Sequence, residues 1–430
     1  MTRLFPNKST FRSLANYNYR LWAGGALVSN VGTWMQRVAQ DWLVLTQLTD
    51  NNASALGVVM ALQFGPQMLM LPLSGFAADF FDRRKLLMVT QAAMGLCALG
   101  LGLLTITGLV QLWHVYVFAF LHGCTAAFDA PARHTFVSDL VGEADLPNAV
   151  ALNSTSFNAA RMVGPALAGL LIAGVGTGWA FLANAISFGG VLCSLMFLRV
   201  RDLHPNRRAA RAAGGFVAGF RYVWSRPDLR AILLMLFLIG TFGMNFPIFI
   251  STMAVTAFHA GAGKYGLLSS MMAIGTITGA LLAAGREQPR IELLLSGSAI
   301  FALGCALAAV MPNYWLFGLA LVVIGVSALT VTNSSNSLLQ LSTEPAMRGR
   351  VMAIRLAVAL GGTPVGAPVV GWVADRFGPR WALGVGVAAG LSAAIVMIHY
   401  LAKHRHLRLH VSGRRLRFSM DEGEAFSLPR

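Results

Sequence analysis

Twelve apolar stretches, each about 20 residues or longer, follow one another along the chain, and they constrain its fold more than any other feature. Inside a bilayer such a stretch folds as a helix, because a helix satisfies its backbone hydrogen bonds internally. Charged residues make up only 12% of the chain, about half the share of a typical soluble domain, which excludes a soluble protein of this length. The predicted spans are 21–48, 54–78, 86–107, 112–132, 147–174, 178–198, 230–256, 264–284, 291–311, 314–340, 351–373 and 381–401.

The distribution of Lys and Arg predicts the orientation. With a cytoplasmic N-terminus and alternating spans, the Lys and Arg residues of the loops fall on the cytoplasmic side, except Lys264, Arg376 and Arg380. Cytoplasmic loops are enriched in positive charge. We therefore expect a multi-pass protein of the plasma membrane, the inner membrane in a Gram-negative bacterium, with both termini in the cytoplasm. The same rule explains the net charge of +16 without nucleic acid as a partner, and the basic tail is expected to contact membrane lipids.

A long polar segment divides the spans into six and six. We predict an N-terminal six-helix bundle at 1–198, a cytoplasmic central loop at 199–229, a C-terminal six-helix bundle at 230–401 and a basic cytoplasmic tail at 402–430. The fold class is an all-α polytopic membrane protein with twelve transmembrane helices in two pseudo-symmetric bundles. Such halves hold a substrate near the midplane between them, so a monomer is expected to suffice.

Glycine placement supports an internal repeat. Segment 163–169 in span five corresponds to 365–371 in span eleven, and Gly57 in span two corresponds to Gly266 in span eight. Gly164, Pro165 and Gly169 form a predicted helix-bend motif, because Pro removes one backbone donor. This motif is either a structural kink or a flexible gate or tight seal.

Span one carries charges where they are expensive, which makes them candidates for function. Arg37 and Asp41 lie four residues apart, so they share one helix face and can pair. Gln36 and Gln40 flank them, and Asn30 lies about two turns earlier. One interpretation is that Asp41 binds and releases a proton while Arg37 holds its charge. The other is a static ion pair.

Spans five and eleven add further polar candidates for the substrate path. Asn158 and Arg161 lie in span five, and Arg355 lies early in span eleven. A cationic side chain facing a central cavity would attract anionic cargo such as a catecholate or carboxylate. The alternative is that these arginines extend toward the cytoplasmic surface or pair with a carboxylate there.

Two motifs resemble those of the major facilitator superfamily. The loop after span two, with Gly75, Asp79, Arg83 and Arg84, resembles the G-x-L-A-D-R-x-G-R-K loop of that superfamily, and 164–169 resembles its G-P-x-x-G-G antiporter motif. The resemblance implies that the loop latches the two halves in the outward-facing state through charge pairs, near Asp129 and Arg133 at the end of span four. The alternative is that these charges only anchor the loop in the cytoplasm.

Further segments resemble the enterobactin-exporter branch of the superfamily, which is similar to macrolide efflux proteins. These segments are 20–22, 28–43, 128–133 and 146–154. The resemblance implies a secondary active transporter that exports small amphipathic molecules, such as drugs, siderophores or metabolites, by proton antiport with alternating access. A metabolite importer or facilitator of the same fold is the alternative.

Motifs of other protein classes are missing from the sequence. We find no Gly-x-x-x-x-Gly-Lys phosphate loop, no nucleophile elbow and no paired metal ligands, and the four cysteines form no CxxC pair. We therefore expect no enzyme, no cofactor and no metal. A membrane enzyme or a non-transporting scaffold with this fold is a remote alternative.

Overall fold

The computed structural model describes residues 10–204, 216–284, 291–404, 407–412 and 415–420. About half of the predicted cytoplasmic tail and part of the central loop lie outside these residues. The N-terminal half contains seven helices after a short 3₁₀ turn at Arg12–Ala15. They are α1 (Tyr17–Trp42), α2 (Ala53–Leu69), α3 (Leu71–Phe80), α4 (Arg83–Ile106), α5 (Leu112–Leu140), α6 (Leu146–Val175) and α7 (Thr177–Met196).

The C-terminal half has eight helices. They are α8 (Phe216–Ser225), α9 (Pro227–Leu238), α10 (Phe246–Thr252), α11 (Ala262–Ala284), α12 (Glu292–Val310), α13 (Tyr314–Ser342), α14 (Pro345–Phe377) and α15 (Pro379–His404). Three π-helical turns extend this framework, Leu43–Leu48 after α1, Ile239–Gly243 after α9 and Met253–Ala257 after α10. Strands β1 (Leu407–Ser412) and β2 (Arg415–Met420) form an antiparallel hairpin after α15.

The helices agree with the all-α membrane fold predicted from the sequence. In the described part of the chain, nine helices are long and apolar enough to cross a membrane, three in the N-terminal half and six in the C-terminal half, with α9, α10 and their π-helical turns counted as one. Helix α2 is apolar but shorter, and α1 and α5 are outside the nine. The exact number of twelve spans therefore stays a prediction.

Part of the predicted central loop at 199–229 is helical. A 3₁₀ turn at Val200–Asp202 and the whole of α8 lie within this segment. Val217, Phe220 and Trp224 are exposed on α8, and their spacing places them on one helix face. Gly219 packs against Arg350 on α14, where an added Cβ would lie 2.8 Å from the Arg350 side chain.

Contacts between helix ends define two faces of the molecule. On what we call the termini face, Asn18 near the start of α1 donates to the Arg199 carbonyl after α7, and Arg226 before α9 donates to the Ser342 carbonyl at the end of α13. On the opposite, far face, Gln47 after α1 donates to Thr177 at the start of α7. Arg380 at the start of α15 donates to the Ala309 carbonyl near the end of α12.

The two halves meet along two seams, α2 against α14 and α6 against α11. Glycines make both seams possible. A Cβ on Gly57 of α2 would lie 2.6 Å from the Ala367 carbonyl oxygen of α14. A Cβ on Gly266 of α11 would collide with the Pro165 carbonyl oxygen of α6. The glycine pair Gly57 and Gly266, which the sequence repeat matched, therefore occupies corresponding places in the two seams.

A carboxylate from one half closes the α2–α14 seam at the far face. Asp375 near the end of α14 accepts hydrogen bonds from the Ala53 and Ser54 backbone amides at 2.7 and 2.8 Å, and a further one from the Ser54 hydroxyl. These amides begin α2, where a negative charge is favoured by unsatisfied N–H groups. The structure is thus tied shut at the far face.

Candidate functional site

A cavity of about 230 Å³ lies between the two halves. Its wall combines side chains of α1, α2 and α6 with side chains of α10, α11 and α14. Most of them are apolar, and few polar groups are placed among them, as is usual in small-molecule sites. The lining residues are Trp34, Arg37, Val38, Gln40, Asp41, Met60, Gln63, Phe64, Arg161, Pro165, Met244, Phe246, Pro247, Ile250, Tyr265, Ser269, Met272, Ala273 and Thr363.

Asp41 links the two halves through this cavity. Its carboxylate accepts a hydrogen bond of 2.8 Å from the Tyr265 hydroxyl on α11. Both side chains are buried, with 8% of Asp41 and 1% of Tyr265 exposed. The neighbouring Trp42 ring stacks on Tyr265, with 6.2 Å between ring centroids, and so holds the phenol in place. A single proton-binding group thus contacts both halves of the protein.

Two arginines share one aromatic ring in the cavity wall. The Arg37 guanidinium lies 4.8 Å from the centroid of the Trp34 ring and 5.9 Å from that of Phe64. The Arg161 guanidinium lies 5.5 Å from the Trp34 centroid. Attraction to the face of an aromatic ring partly replaces the lost hydration of a cation. The Arg37 Nε is buried without a hydrogen-bond partner.

The predicted bend motif positions Arg161. A Cβ on Gly164 would lie 2.6 Å from the Trp34 Cβ, so α6 approaches α1 closely at this point. Arg161 precedes Gly164 by about one helical turn, which brings its side chain over Trp34. Gly169 packs against α11, where an added Cβ would lie 2.8 Å from the Ala262 carbonyl oxygen. Helix α6 runs unbroken through Pro165, and the motif takes part in a tight seal between the halves.

The predicted ion pair between Arg37 and Asp41 is not formed. The ion pairs of the described residues are Arg12–Asp145, Arg83–Asp139, Arg133–Asp129 and Arg226–Asp228. Spacing on one helix face allows a pair but does not require it. Here Arg37 lies over aromatic rings, and the Asp41 carboxylate is turned to the other half.

The structure separates the remaining candidates for the path. Gln40 lines the cavity, whereas Gln36 accepts a 2.6 Å hydrogen bond from Asn184 of α7 and so joins two helices. Asn30 is half-buried outside the cavity wall. Asn158 donates to the Ser154 carbonyl of its own helix. Arg355 is half-buried on α14, about two turns from Thr363, and is not part of the wall.

The predicted latch residues form contacts within the N-terminal half. Arg83 pairs with Asp139 at 2.7 Å, and Arg84 donates to the Leu195 and Met196 carbonyls at the end of α7. Gly75 is exposed, with open space where a side chain would stand. The Asp79 side chain lies outside the described part of the chain.

Asp129 is held by three side chains of its own half. Its carboxylate accepts from the Thr90 hydroxyl at 2.9 Å and the Gln91 amide at 2.6 Å. Arg133 completes the set, with its guanidinium 2.9 Å from the carboxylate. Buried carboxylates with this many donors serve to join helices, here α4 and α5.

Sequence reasoning missed four residues that matter to the site. Trp34 has no sequence signal that sets it apart, yet the guanidinium groups of both Arg37 and Arg161 lie over its ring. Tyr265, Asp139 and Asp375 lie far in sequence from the groups they contact. Only Asp375 had a signal, as a carboxylate close to the end of a predicted span. Within the described residues, no group of three or more His, Cys, Asp or Glu side chains could hold a metal ion.

Comparison with known proteins gives a family match over most of the chain. The model of a family described as transmembrane secretion effectors matches residues 8–415. Among relatives, the multidrug efflux pump Tap of Mycolicibacterium fortuitum is 27% identical over 82% of this chain and 88% of its own length. The staphyloferrin A transporter of Staphylococcus aureus is 24% identical over 81% and 87%. The enterobactin exporter EntS of Escherichia coli K12 is 24% identical over 85% and 88%.

Solved structures share the fold at lower sequence identity. A bacterial homologue of the iron transporter ferroportin has a TM-score of 0.70 and 14% identity, covering 89% of this chain and 98% of its own. A bacterial homologue of the lysosomal transporter Spinster has a TM-score of 0.68 and 14% identity, covering 90% and 95%. Both likenesses concern the arrangement of the helices alone.

Proposed function

We infer that this chain, which belongs to the transmembrane secretion effector family of the major facilitator superfamily, is a secondary transporter that exports small amphipathic molecules. The names of its relatives, a multidrug efflux pump, a siderophore transporter and a siderophore exporter, support export. The largely apolar cavity between the halves, with its few charged groups, supports an amphipathic cargo. A monomer is sufficient, because one chain encloses the whole cavity.

We propose that export is proton antiport by alternating access and that Asp41 is the proton site. The observation that carries this proposal is the hydrogen bond from Tyr265 of one half to Asp41 of the other. An ionised carboxylate accepts this bond strongly, and a protonated one accepts it less strongly. Protonation therefore weakens a tie between the halves, which gives a physical link between the proton and the conformation.

In this proposal the same tie keeps the transporter from cycling without cargo. With Asp41 ionised, the bond to Tyr265 adds to the closure of the far face. Cargo entering the cavity competes for these two side chains and releases the tie, and the far face opens. There Asp41 takes up a proton as cargo leaves, and the protonated protein returns to the state with a closed far face. Loss of the proton on the other side restores the tie.

We propose that the termini face is cytoplasmic, in the plasma membrane. The support is the excess of Lys and Arg on that face, including Arg83, Arg84 and Arg133. The two bundles, at 1–198 and 230–401, are proposed as the units that rock against each other. In the state with an open far face, we expect Gly75, Asp79, Arg83 and Arg84, beside Asp129 and Arg133, to contact the C-terminal half as a latch.

The test of this function is cargo movement in liposomes under an imposed pH gradient. The panel contains a dye, a macrolide and a catecholate siderophore. We expect at least one of them to accumulate on the acidic side and Asp41→Asn to lower this accumulation about tenfold or more. Asp202→Asn, an exposed carboxylate after α7, is the matched control and retains it. Accumulation by Asp41→Asn at the wild-type level would refute the assigned proton site.

A further inference from the structure

The charges of the cavity do not balance. Its wall contains two cations, Arg37 and Arg161, and one carboxylate, Asp41. That carboxylate is hydrogen-bonded to Tyr265, and neither arginine takes part in an ion pair of the described residues. A charge held within a membrane protein is costly unless a partner compensates it. The two arginines therefore have no ion-pair partner among the described residues, and an anionic ligand can supply one.

We propose that the cavity selects amphipathic anions, with Arg37 and Arg161 holding the anionic group of the cargo. This proposal rests on the export function proposed above and names the charge class of its cargo. An oxyanion is the group that two neighbouring guanidinium groups bind best, because they offer it several charge-assisted hydrogen bonds. Arg37 has a buried Nε that still lacks an acceptor.

The Trp34 ring organises this anion site. Both guanidinium groups lie within 5.5 Å of its centroid, so one ring holds two like charges close together in the absence of an anion. Helix α6 lies against the Trp34 Cβ at Gly164, which fixes the base of this side chain. Preorganised donors bind an anion without losing side-chain freedom at that moment.

The rest of the wall sets the shape of the cargo. Met60 and Phe64 of the N-terminal half and Phe246, Ile250 and Met272 of the C-terminal half line the same space. Methionine side chains adapt to apolar bodies of different shape. The cargo that fits is an anionic group joined to a compact apolar or aromatic body, and neutral or cationic molecules of the same shape fit less well.

Binding of a matched probe series tests the proposal. The protein is placed in phosphatidylcholine nanodiscs and titrated calorimetrically with 2-naphthylacetate, 2-naphthylacetamide and 2-(2-naphthyl)ethylamine, which differ mainly in charge. We expect the carboxylate to bind with a Kd about tenfold lower than that of the amide, or lower still, because hydrogen bonds to a charged group are stronger than those to a neutral one. The amine should bind most weakly. Equal affinities for the carboxylate and the amide would overturn the proposal.

Variants of Arg161 test whether this side chain causes the preference for the carboxylate over the amide. Arg161→Gln should reduce the carboxylate preference about tenfold, and Arg161→Lys should restore part of it because the charge returns. The matched control is Arg230→Gln, which alters an exposed arginine that also lies over a tryptophan, Trp224, at 5.9 Å. It should leave the preference unchanged. A preference that persists in Arg161→Gln, or is lost in the control, contradicts the assignment.

Two further measurements distinguish this proposal from lipid binding at the same site and from export without anion selection. Adding phosphatidylglycerol to the nanodiscs should leave the affinity for 2-naphthylacetate unchanged. A lower affinity would show that the anionic lipid headgroup competes for the site, and it would overturn the proposal that the site binds a free cargo. Vesicle export that carries amide and amine as well as carboxylate would refute anion selection and leave export standing. Carboxylate-selective binding without directional flux of any probe would refute export and leave the anion site standing.

Discussion

Buried charges of the N-terminal half differ in how completely they are satisfied. Asp129 accepts from Thr90, Gln91 and Arg133. In contrast, Asp41 has a single described donor, Tyr265, and the Nε of Arg37 has no acceptor. Fully satisfied polar networks rigidify a protein, and incomplete ones mark places where a ligand or a proton completes the set. From this contrast we propose that Asp129 stabilises the N-terminal half in this state and that Asp41 acts in transport.

Replacing Asp129 tests this contrast. Asp129→Ala leaves Arg133 and two neutral donors without their acceptor, and we expect a loss of about 2 kcal/mol or more in the free energy of unfolding. Asp82→Ala is the control, since Asp82 only caps α4 by accepting from the Lys85 amide, and it should cost about 1 kcal/mol. Denaturant unfolding in detergent measures both. Equal losses would contradict a structural network around Asp129.

Sequence alone identified the intramembrane charges but not their partners. Arg37, Asp41 and Arg161 stand out because charge is rare within apolar spans, and all three line the cavity. Their contacts depend on which helices adjoin, so Tyr265, which lies 224 positions after Asp41, had no sequence signal. Spacing allowed a pair between Arg37 and Asp41, but Arg37 lies over the rings of Trp34 and Phe64, and Asp41 accepts a hydrogen bond from Tyr265 of α11.

At the scale of helices, small residues set how closely the halves approach. Gly57 faces Ala367 and Pro368 of α14, and Gly266 faces Pro165 and Gly169 of α6. Backbones that touch in this way gain dispersion contacts and need no side-chain ordering. The repeat found in the sequence therefore corresponds to a physical function, the closure of two equivalent seams.

A branched residue in a seam should hold it open. In Gly57→Val the new Cβ would lie 2.6 Å from the Ala367 carbonyl oxygen, so α2 and α14 must separate. We expect labelling of a cysteine at position 54 from the far side to rise several-fold and transport to fall. Gly65→Val, on the same helix with open space around it, is the control. Unchanged labelling in Gly57→Val would rule out a tight seam.

Helix bounds follow the apolar pattern closely, and irregular features do not. Span two is divided at Met70 into α2 and α3, and α9 passes into a π-helical turn at Ile239–Gly243. This turn meets α14, where Thr241 packs on Gly366. Such breaks arise from packing between helices and carry no periodic signal. Helix α8 did carry one, since Val217, Phe220 and Trp224 repeat at helical spacing, but the polar composition around it suggested a loop.

Two contacts between the halves, which differ in their position relative to the cavity, close the molecule at the far face. Asp375 holds the start of α2, and Asp41 holds Tyr265 in the cavity below. The first tie contains no described contact with the cavity, and the second is part of its wall. We therefore expect cargo and protons to act on the second tie, and the first to open as a consequence when the halves rock.

A distance across the far face reports this opening. Spin labels at positions 50 and 376, both exposed, lie on opposite sides of the α2–α14 seam. We expect a single short distance without cargo and a second, longer distance when cargo is added. A pair at positions 50 and 109, within the N-terminal half, is the control and stays constant. A distance between 50 and 376 that never changes would contradict rocking of the halves.

The central claim is that cargo and protons are exchanged through Asp41, and proton movement driven by a cargo gradient tests it most directly. Liposomes are loaded with cargo at equal pH on both sides, and an internal pH dye records protons. Because coupling is reciprocal, cargo leaving the liposome should draw protons in, and Asp41→Asn should abolish this signal. Cargo loss from wild-type liposomes without proton entry, or an undiminished proton signal from Asp41→Asn, would contradict the account.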